Sequence, residues 1–513
     1  MAHLLRGGRI LHPGSRTPTA LLIDQGRIAW MGTDDEARGL ALRGAEVTDL
    51  DGALVTPGFV DAHVHATSTG LALLGLDLSG TLSARDLLDV VSSEAAAHPG
   101  SLILGHGWDE STWLDRTLPT ASEIDRATLG ARVYLTRVDV HSALVSSALI
   151  DAAPECRSVV GFDDCGWVTQ EAHHVLRDFA LRTIDDVTRR RAQDAFLDSA
   201  AVHGIVSAHE MAGPVISSDR DCTQILSRSC ERAGTQIVAY WGELAQAGGI
   251  ETARGLGAYG TGGDLFVDGS LGSHTACLHD PYLDAPQSTG REFIEVEELI
   301  THVDMCVRVG QQTGFHAIGD SANDAVVHAF MVAAATHGSD LVRSQRHRIE
   351  HAESLSSAGI VECARLGIIA SMQPGFDERW GGVDGMYARR LGQERAALLN
   401  PIGELRQAGV TVAFGSDSPV TPLDPWGAIH AAMNHRTPGQ RIDLHAAIEA
   451  HSCAGWHAAG VDDAGRIDVG QAAHLAVWAV GDDEQYPSAG ATALRTLRSG
   501  ISIHDSGHLG GAQ

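Results

Sequence analysis

Two histidines separated by one residue, His63 and His65, close a short apolar run, GFVDAHVH, that is entered through the Pro57-Gly58 turn. Residues i and i+2 of a strand point the same way, so both imidazoles face one space. Three further polar residues sit at the ends of later apolar runs: His316 in GFHAIGD, His351 in RIEHAE and Asp417 in FGSDSP. Each has an ordinary reading by itself. An HxH pair can lie on a solvated face, a lone buried histidine is usually a satisfied core residue, and Asp after Gly-Ser is a common turn former. Together, four imidazoles and a carboxylate on strand ends make a nitrogen and oxygen set suited to Zn²⁺ or a similar divalent ion. The chemistry available to such a set is hydrolysis by activated water. All 37 basic residues are arginine. That excludes any mechanism needing a Schiff-base, nucleophilic or carboxylated lysine.

These residues must be held by a scaffold that gathers strand ends. Short apolar runs ending in polar residues recur at 58–65, 204–211, 236–241, 264–270, 314–320, 348–353, 368–374 and 412–419. Longer helical stretches such as VEELITHVDMCVRVGQQTG lie between them. Strands alternating with helices indicate parallel βα units, and eight of them suit an α/β fold of the TIM-barrel type, spanning 57–463. About 140 residues separate the first two runs, far more than one crossover needs. Residues 66–203 are therefore expected to form an inserted unit that shapes the substrate pocket. The chain ends differ from the middle. LLIDQGRIAWMG near the start, and GRIDVGQAAHLAVWAV and TLRSGISIH near the end, alternate apolar and polar residues around Gly turns. Residues 1–56 and 464–513 are read as one composite β-sandwich.

Composition narrows the function further. The formal charge of −28 argues against nucleic acid or an anionic membrane as partner and leaves a small-molecule substrate. The eight cysteines are scattered without a CxxC pair, as reduced thiols would be. The start lacks a signal-peptide core and no apolar run approaches 18 residues, so a cytoplasmic location is expected. A homodimer is a further expectation, since barrels of this kind often pair.

PGFVDAHVH, HAIGD, RIEHAE, GSDSPV and GRIDVGQAAHLAVW, in that order, resemble the amidohydrolase superfamily. More narrowly they are similar to its YtcJ-like branch (amidohydrolase family 3), which includes N-substituted formamide deformylases. That branch carries a GWDE…W segment, matched by Gly107, Trp108, Asp109, Glu110 and Trp113, and a DG-x-x-GS-x-TA segment matched from Asp268 to Ala276. The resemblance spans nearly the whole chain. It implies a TIM barrel with a β-sandwich built from both termini. It also implies metal ligands His63 and His65 on the first strand, His316 on the fifth, His351 on the sixth and Asp417 on the eighth. His347 is a rival to His351, but the family's Glu-His pair matches Glu350-His351.

The chain departs from the family slightly at His474, where relatives usually have Asp, and more consequentially at one other point. Binuclear relatives bridge two metals with a carboxylated lysine four residues before the DG pair, and here that position is Asp264. Either Asp264, or Glu210 at the second strand's end, supplies a bridging carboxylate, or the site holds one ion; the missing lysine favours one, with zinc the expected metal. The family's chemistry makes Asp417 general base and acid in cleavage of an amide-like C–N bond, with His316 or His351 as ligand or oxyanion stabiliser. Trp108, Asp109, Trp113, Arg137 and His141 are substrate-pocket candidates. Against that reading, the tryptophans could fill the insertion's core and Arg137 could sit in a structural ion pair. A deaminase or lactonase on the same site, and a non-catalytic barrel that only binds, are the alternatives.

Overall fold

The computed structural model describes residues 2–12, 17–41, 46–138, 142–481 and 484–509. The chain forms two compact units, one from residues 1–66 and 197–513, the other from residues 67–196.

The first unit is built on eight parallel strands: β1 (Phe59–Val64), β2 (Ile205–Ala212), β3 (Gln236–Trp241), β4 (Gly260–Thr261), β5 (Gln312–Ala317), β6 (Arg348–His351), β7 (Ile369–Met372) and β8 (Val412–Phe414). Each pairs with its neighbour in chain order. The ring closes just beyond β8, where the Asp417 amide donates to the His63 carbonyl at 2.8 Å and the His65 amide to the Ser418 carbonyl at 3.0 Å. This is a TIM barrel. Gly415 makes the closure possible, because a Cβ there would stand 2.5 Å from the His63 nitrogen.

Helices between the strands are amphipathic at helical spacing. Val296–Arg308 buries Leu299, His302, Val303, Cys306 and Val307, and its first turn is closed by a capping box between Glu295 and Glu298.

The fourth strand corrects the sequence expectation. Residues 264–270 do not form it. Only Gly260 and Thr261 pair, with Tyr240–Trp241 on one side and Gln312–Thr313 on the other. Gly262 and Gly263 then take φ of 127° and 79°, outside the strand region, and turn the chain off the ladder. It touches the sheet again only at a bridge between Phe266 and His316.

Both chain ends supply the sandwich attached to this barrel. Four strands, including the hairpin Ala20–Asp24 with Arg27–Gly32, form one sheet. In the other, Leu54–Pro57 pairs antiparallel with Leu475–Trp478, and Arg495–Arg498 with Ile501–Asp505. Leu5, Leu21, Ile23 and Ile28 meet Val55, Leu475, Val477 and Leu497 in a shared apolar layer.

The second unit has its own five-stranded sheet. Ile103–Trp108 and Val133–Arg137 run parallel at its middle, and helices including Ala84–Ala97 and Gln170–Arg182 accompany it. Among the described residues, no helix is long and apolar enough to cross a membrane.

Candidate metal centre

Strand alternation on β1 turns Asp61, His63 and His65 to the same side. Asp61 is buried, and its Oδ1 accepts from the Ser416 amide at 3.0 Å and the His63 amide at 3.2 Å. It thereby ties the turn after β8 to β1. Burial pushes its carboxyl up to about 6. The turn carries Asp417 at φ 52°, and His351 ends β6 at φ 69°. Positive φ is costly for residues with a Cβ, and such strain collects at functional sites.

His63, His65, Asp264, His316, His351 and Asp417 come together within the barrel unit. Asp417 Oδ1 lies 3.5 Å from His63 Nε2 and 3.2 Å from His65 Nε2. Asp264 Oδ2 lies 3.5 Å from His65 Nε2. Its Oδ1 is 3.0 Å from His316 Nδ1, 3.6 Å from His351 Nε2 and 4.0 Å from His63 Nε2.

The far side of each ring fixes which nitrogen keeps its lone pair. His65 Nδ1 faces the Met211 carbonyl at 3.1 Å and His316 Nε2 faces the Gly269 carbonyl at 3.4 Å. Carbonyls only accept, so these nitrogens donate. His351 Nδ1 donates to Gln373 Oε1 at 2.8 Å and His63 Nδ1 to Glu350 Oε2 at 2.9 Å. The other nitrogen of every ring is then an acceptor turned toward the carboxylates of Asp264 and Asp417. Acceptors facing acceptors need positive charge among them, from a metal ion or from protons on the rings. His63 Nε2 and His351 Nε2 have no hydrogen-bond partner despite full burial, which is costly unless something binds there. Bonds of about 2.0–2.2 Å at tetrahedral angles put neighbouring ligands about 3.3–3.6 Å apart, close to the spacings observed. The residues fit a divalent ion.

Protons can answer the same crowding. Burial lowers the pKa of His63, but Asp417 and Glu350 outweigh it and raise the ring well above the imidazole range. Burial likewise raises Asp417, and the hydrogen bonds of His63 and His65 reverse this and hold it far below the carboxylate range.

Behind His63 lies a buried chain of charge. Arg348 Nε donates to Glu350 Oε1 at 2.7 Å and Nη2 to Oε2 at 3.0 Å. Nη2 also reaches the Ala62 carbonyl at 2.6 Å and Ser371 Oγ at 3.0 Å, Nη1 meets His209 Nδ1 at 2.8 Å, and the guanidinium lies 4.6 Å over the Tyr240 ring. Burial raises Glu350, but Arg348 and His63 bring it down to about 2. It is a firm carboxylate that orients His63.

A model of the amidohydrolase family matches residues 46–503. The chain belongs to this family. Among its relatives are the protein LONG AFTER FAR-RED 3 of Arabidopsis thaliana, 28% identical over 98% of this chain and 91% of its own, and the putative amidohydrolase YtcJ of Bacillus subtilis, 27% identical over 84% of each. N-substituted formamide deformylase of Arthrobacter pascens is 25% identical over 89% of each. An uncharacterized metal-dependent hydrolase from Pyrococcus furiosus superposes with a TM-score of 0.78 at 26% identity, covering 93% of this chain and 98% of its own. These relatives place the chain in the YtcJ-like branch, as a metal-dependent hydrolase.

Other residues singled out in this amidohydrolase lie elsewhere. Glu210 Oε2 accepts from the Ala66 amide at 2.6 Å, and burial pushes its carboxyl up to about 7. His347 precedes β6, at the opposite end from His351, where its Nδ1 accepts from the Thr313 amide at 3.1 Å and its ring stacks on Phe330. Trp108 and Trp113 are buried in the core of residues 67–196. Their indole N–H groups donate to the carbonyls of Leu135 and Thr81, each at 2.9 Å. That corrects their reading as pocket residues, because a side chain closed in by its own core has no face left for substrate. Arg137 pairs with Asp109 at 3.0 Å and Glu110 at 2.9 Å within the same unit, the structural ion pair foreseen as the alternative. His141 lies outside the described residues.

Arg348, Gln373 and Asp61 escaped sequence reasoning. For Arg348 and Asp61 the signal was alternation: Arg348 and Glu350 stand i and i+2 on a fully buried strand, as Asp61 and His63 do.

Proposed function

We propose that this amidohydrolase cleaves an amide-like C–N bond of a small molecule, with Zn²⁺ held by His63, His65, His316, His351 and Asp417. One observation carries this reading: four histidines, each with its outer nitrogen committed, aim acceptor nitrogens at two carboxylates. Nitrogen and oxygen ligands at these spacings suit zinc. Bound there, such an ion lowers the pKa of water to about 7 and polarises a carbonyl.

Asp417 is the proton carrier in this scheme. His63 and His65 keep it ionised, and its Oδ1 can take the proton of the attacking water and return it to the leaving nitrogen. Glu350 and the Met211 carbonyl hold His63 and His65 in place as Asp417 changes charge. The name of the Arthrobacter pascens relative, N-substituted formamide deformylase, makes N-substituted formamides the first substrates to try.

The test is turnover by zinc-reconstituted protein on a panel of formamides, larger amides, lactones and cyclic amidines. Release of an amine with its paired acid is the expected result. Ammonia from the amidines alone would redirect the reading to deamination, and no turnover at full metal occupancy would overturn it.

A further inference from the structure

We infer that Asp264 bridges two divalent ions, in the role that a carboxylated lysine plays in lysine-bridged relatives. This inference rests on the metal-hydrolase reading above and runs against the single ion favoured by the missing lysine. The two oxygens of Asp264 have different nearest partners, with His63 Nε2 between the two sides at 4.0 Å from Oδ1. Oδ2 looks to His65 Nε2 at 3.5 Å, on the side where Asp417 Oδ1 stands 3.2 Å from that nitrogen and 3.5 Å from His63 Nε2. Oδ1 looks to His316 Nδ1 at 3.0 Å and His351 Nε2 at 3.6 Å. His63, His65, Asp417 and Oδ2 make one ligand set; His316, His351 and Oδ1 make another. A single ion bonded near 2.1 Å would have to choose between them. Two ions about 3.5–4 Å apart, a common separation in two-metal hydrolases, use both.

An aspartate carries the same single charge and two oxygens as a carboxylated lysine, on a side chain several atoms shorter. The main chain must therefore come closer to the ions, and the residues before Asp264 let it. Gly262 and Gly263 adopt positive φ, and a Cβ on Gly262 would lie 2.3 Å from the Gly314 carbonyl oxygen. On Gly263 a Cβ would lie 2.7 Å from Met211 Sδ and 2.8 Å from Tyr240 Cβ. No larger residue fits where the chain leaves β4 and presses between β3 and β5. This also explains why β4 is only two residues long. The Gly262-Gly263 turn and the short carboxylate act as one replacement for the lysine.

The proposal is tested on the full chain, stripped of metal and reloaded with Mn²⁺, by metal analysis and electron paramagnetic resonance. Two ions per chain with an exchange-coupled spectrum are expected for the wild type. Asp264→Asn and Asp264→Ala should retain about one ion and lose the coupling, with circular dichroism reporting that they fold. Asp264→Glu, which keeps both oxygens, should restore coupling in part. A wild type that saturates at one ion overturns the bridge whatever the variants do, and so does coupling that survives in Asp264→Ala. One ion with intact hydrolysis would sink the bridge and spare the hydrolase; a coupled pair without turnover would do the reverse.

Discussion

Glu350 is the counter-ion of the Arg348 guanidinium and the acceptor for the Nδ1–H of His63 in the barrel interior. Removing its charge should therefore act on both metal affinity and stability. Glu350→Gln is expected to weaken metal binding about 10–100-fold, the usual cost of losing a group that orients a ligand, as read by competition with a chelating dye. Arg348→Met leaves Glu350 as a buried charge without its cation and should cost about 3–5 kcal/mol in urea unfolding. A loss within experimental error would mean that Glu350 is neutral in the folded protein. Asp417→Asn separates chemistry from folding. The amide keeps the side chain's size but cannot carry the proton, so kcat should fall about 10²–10⁴-fold while the melting temperature stays near that of the wild type. Retained turnover would remove Asp417 from the proton path.

At the scale of elements, closure of the barrel depends on β1 and β8 approaching within the space that Gly415 leaves. Gly415→Ala would force its methyl against the His63 backbone, which cannot rotate away as a side chain could. A destabilisation of about 1–3 kcal/mol is expected, together with weaker metal binding because His63 and Asp417 flank the joint. Unchanged melting and metal affinity would show that the closure is looser than this geometry. Helix and strand packing at the opposite end uses neutral histidines. His302 accepts the Ala245 amide at 2.8 Å on Nδ1 and meets Thr313 Oγ1 at 2.6 Å through Nε2. Burial lowers its pKa to about 4, and lowers those of His347 and His451 to about 3 and 4. The unfolded chain takes up these protons near pH 6.5 and the folded chain does not until 3–4. Their stabilising contribution is therefore complete above pH 6.5 and lost as pH falls toward 4, at about 1.4 kcal/mol per pH unit for each ring. His302→Gln, which can still accept from Ala245 and donate to Thr313, should lose less stability than the wild type between pH 7 and 5 in urea titrations; equal slopes would contradict this origin.

Across the whole molecule, legibility followed backbone periodicity. His63 and His65 were readable because a strand repeats every two residues, and Asp417 because an apolar run pointed at it. Asp264 was placed at the wrong kind of element, since two glycines erased the strand that the apolar run LFV suggested. Arg348 was not singled out, because only the closed ring shows that both sides of β6 are buried. Trp108 and Trp113 read as pocket candidates because the carbonyls that take their N–H groups lie 27 and 32 residues away along the chain. The separation into units leads to one more prediction. Every proposed ligand lies in the unit of residues 1–66 and 197–513, and none in 67–196. Metal binds the folded barrel in preference to the unfolded chain, so saturation at about 1,000 times Kd should stabilise that unit by about 4 kcal/mol. Chelation should then raise amide hydrogen exchange in β1, β5 and β6, where the ligands anchor. Ile103–Trp108 and Val133–Arg137, in a sheet that holds no ligand, should keep their protection. Equal loss in both units would mean that they unfold as one body, and loss in neither would mean that the histidines are held by their outer hydrogen bonds without the ion.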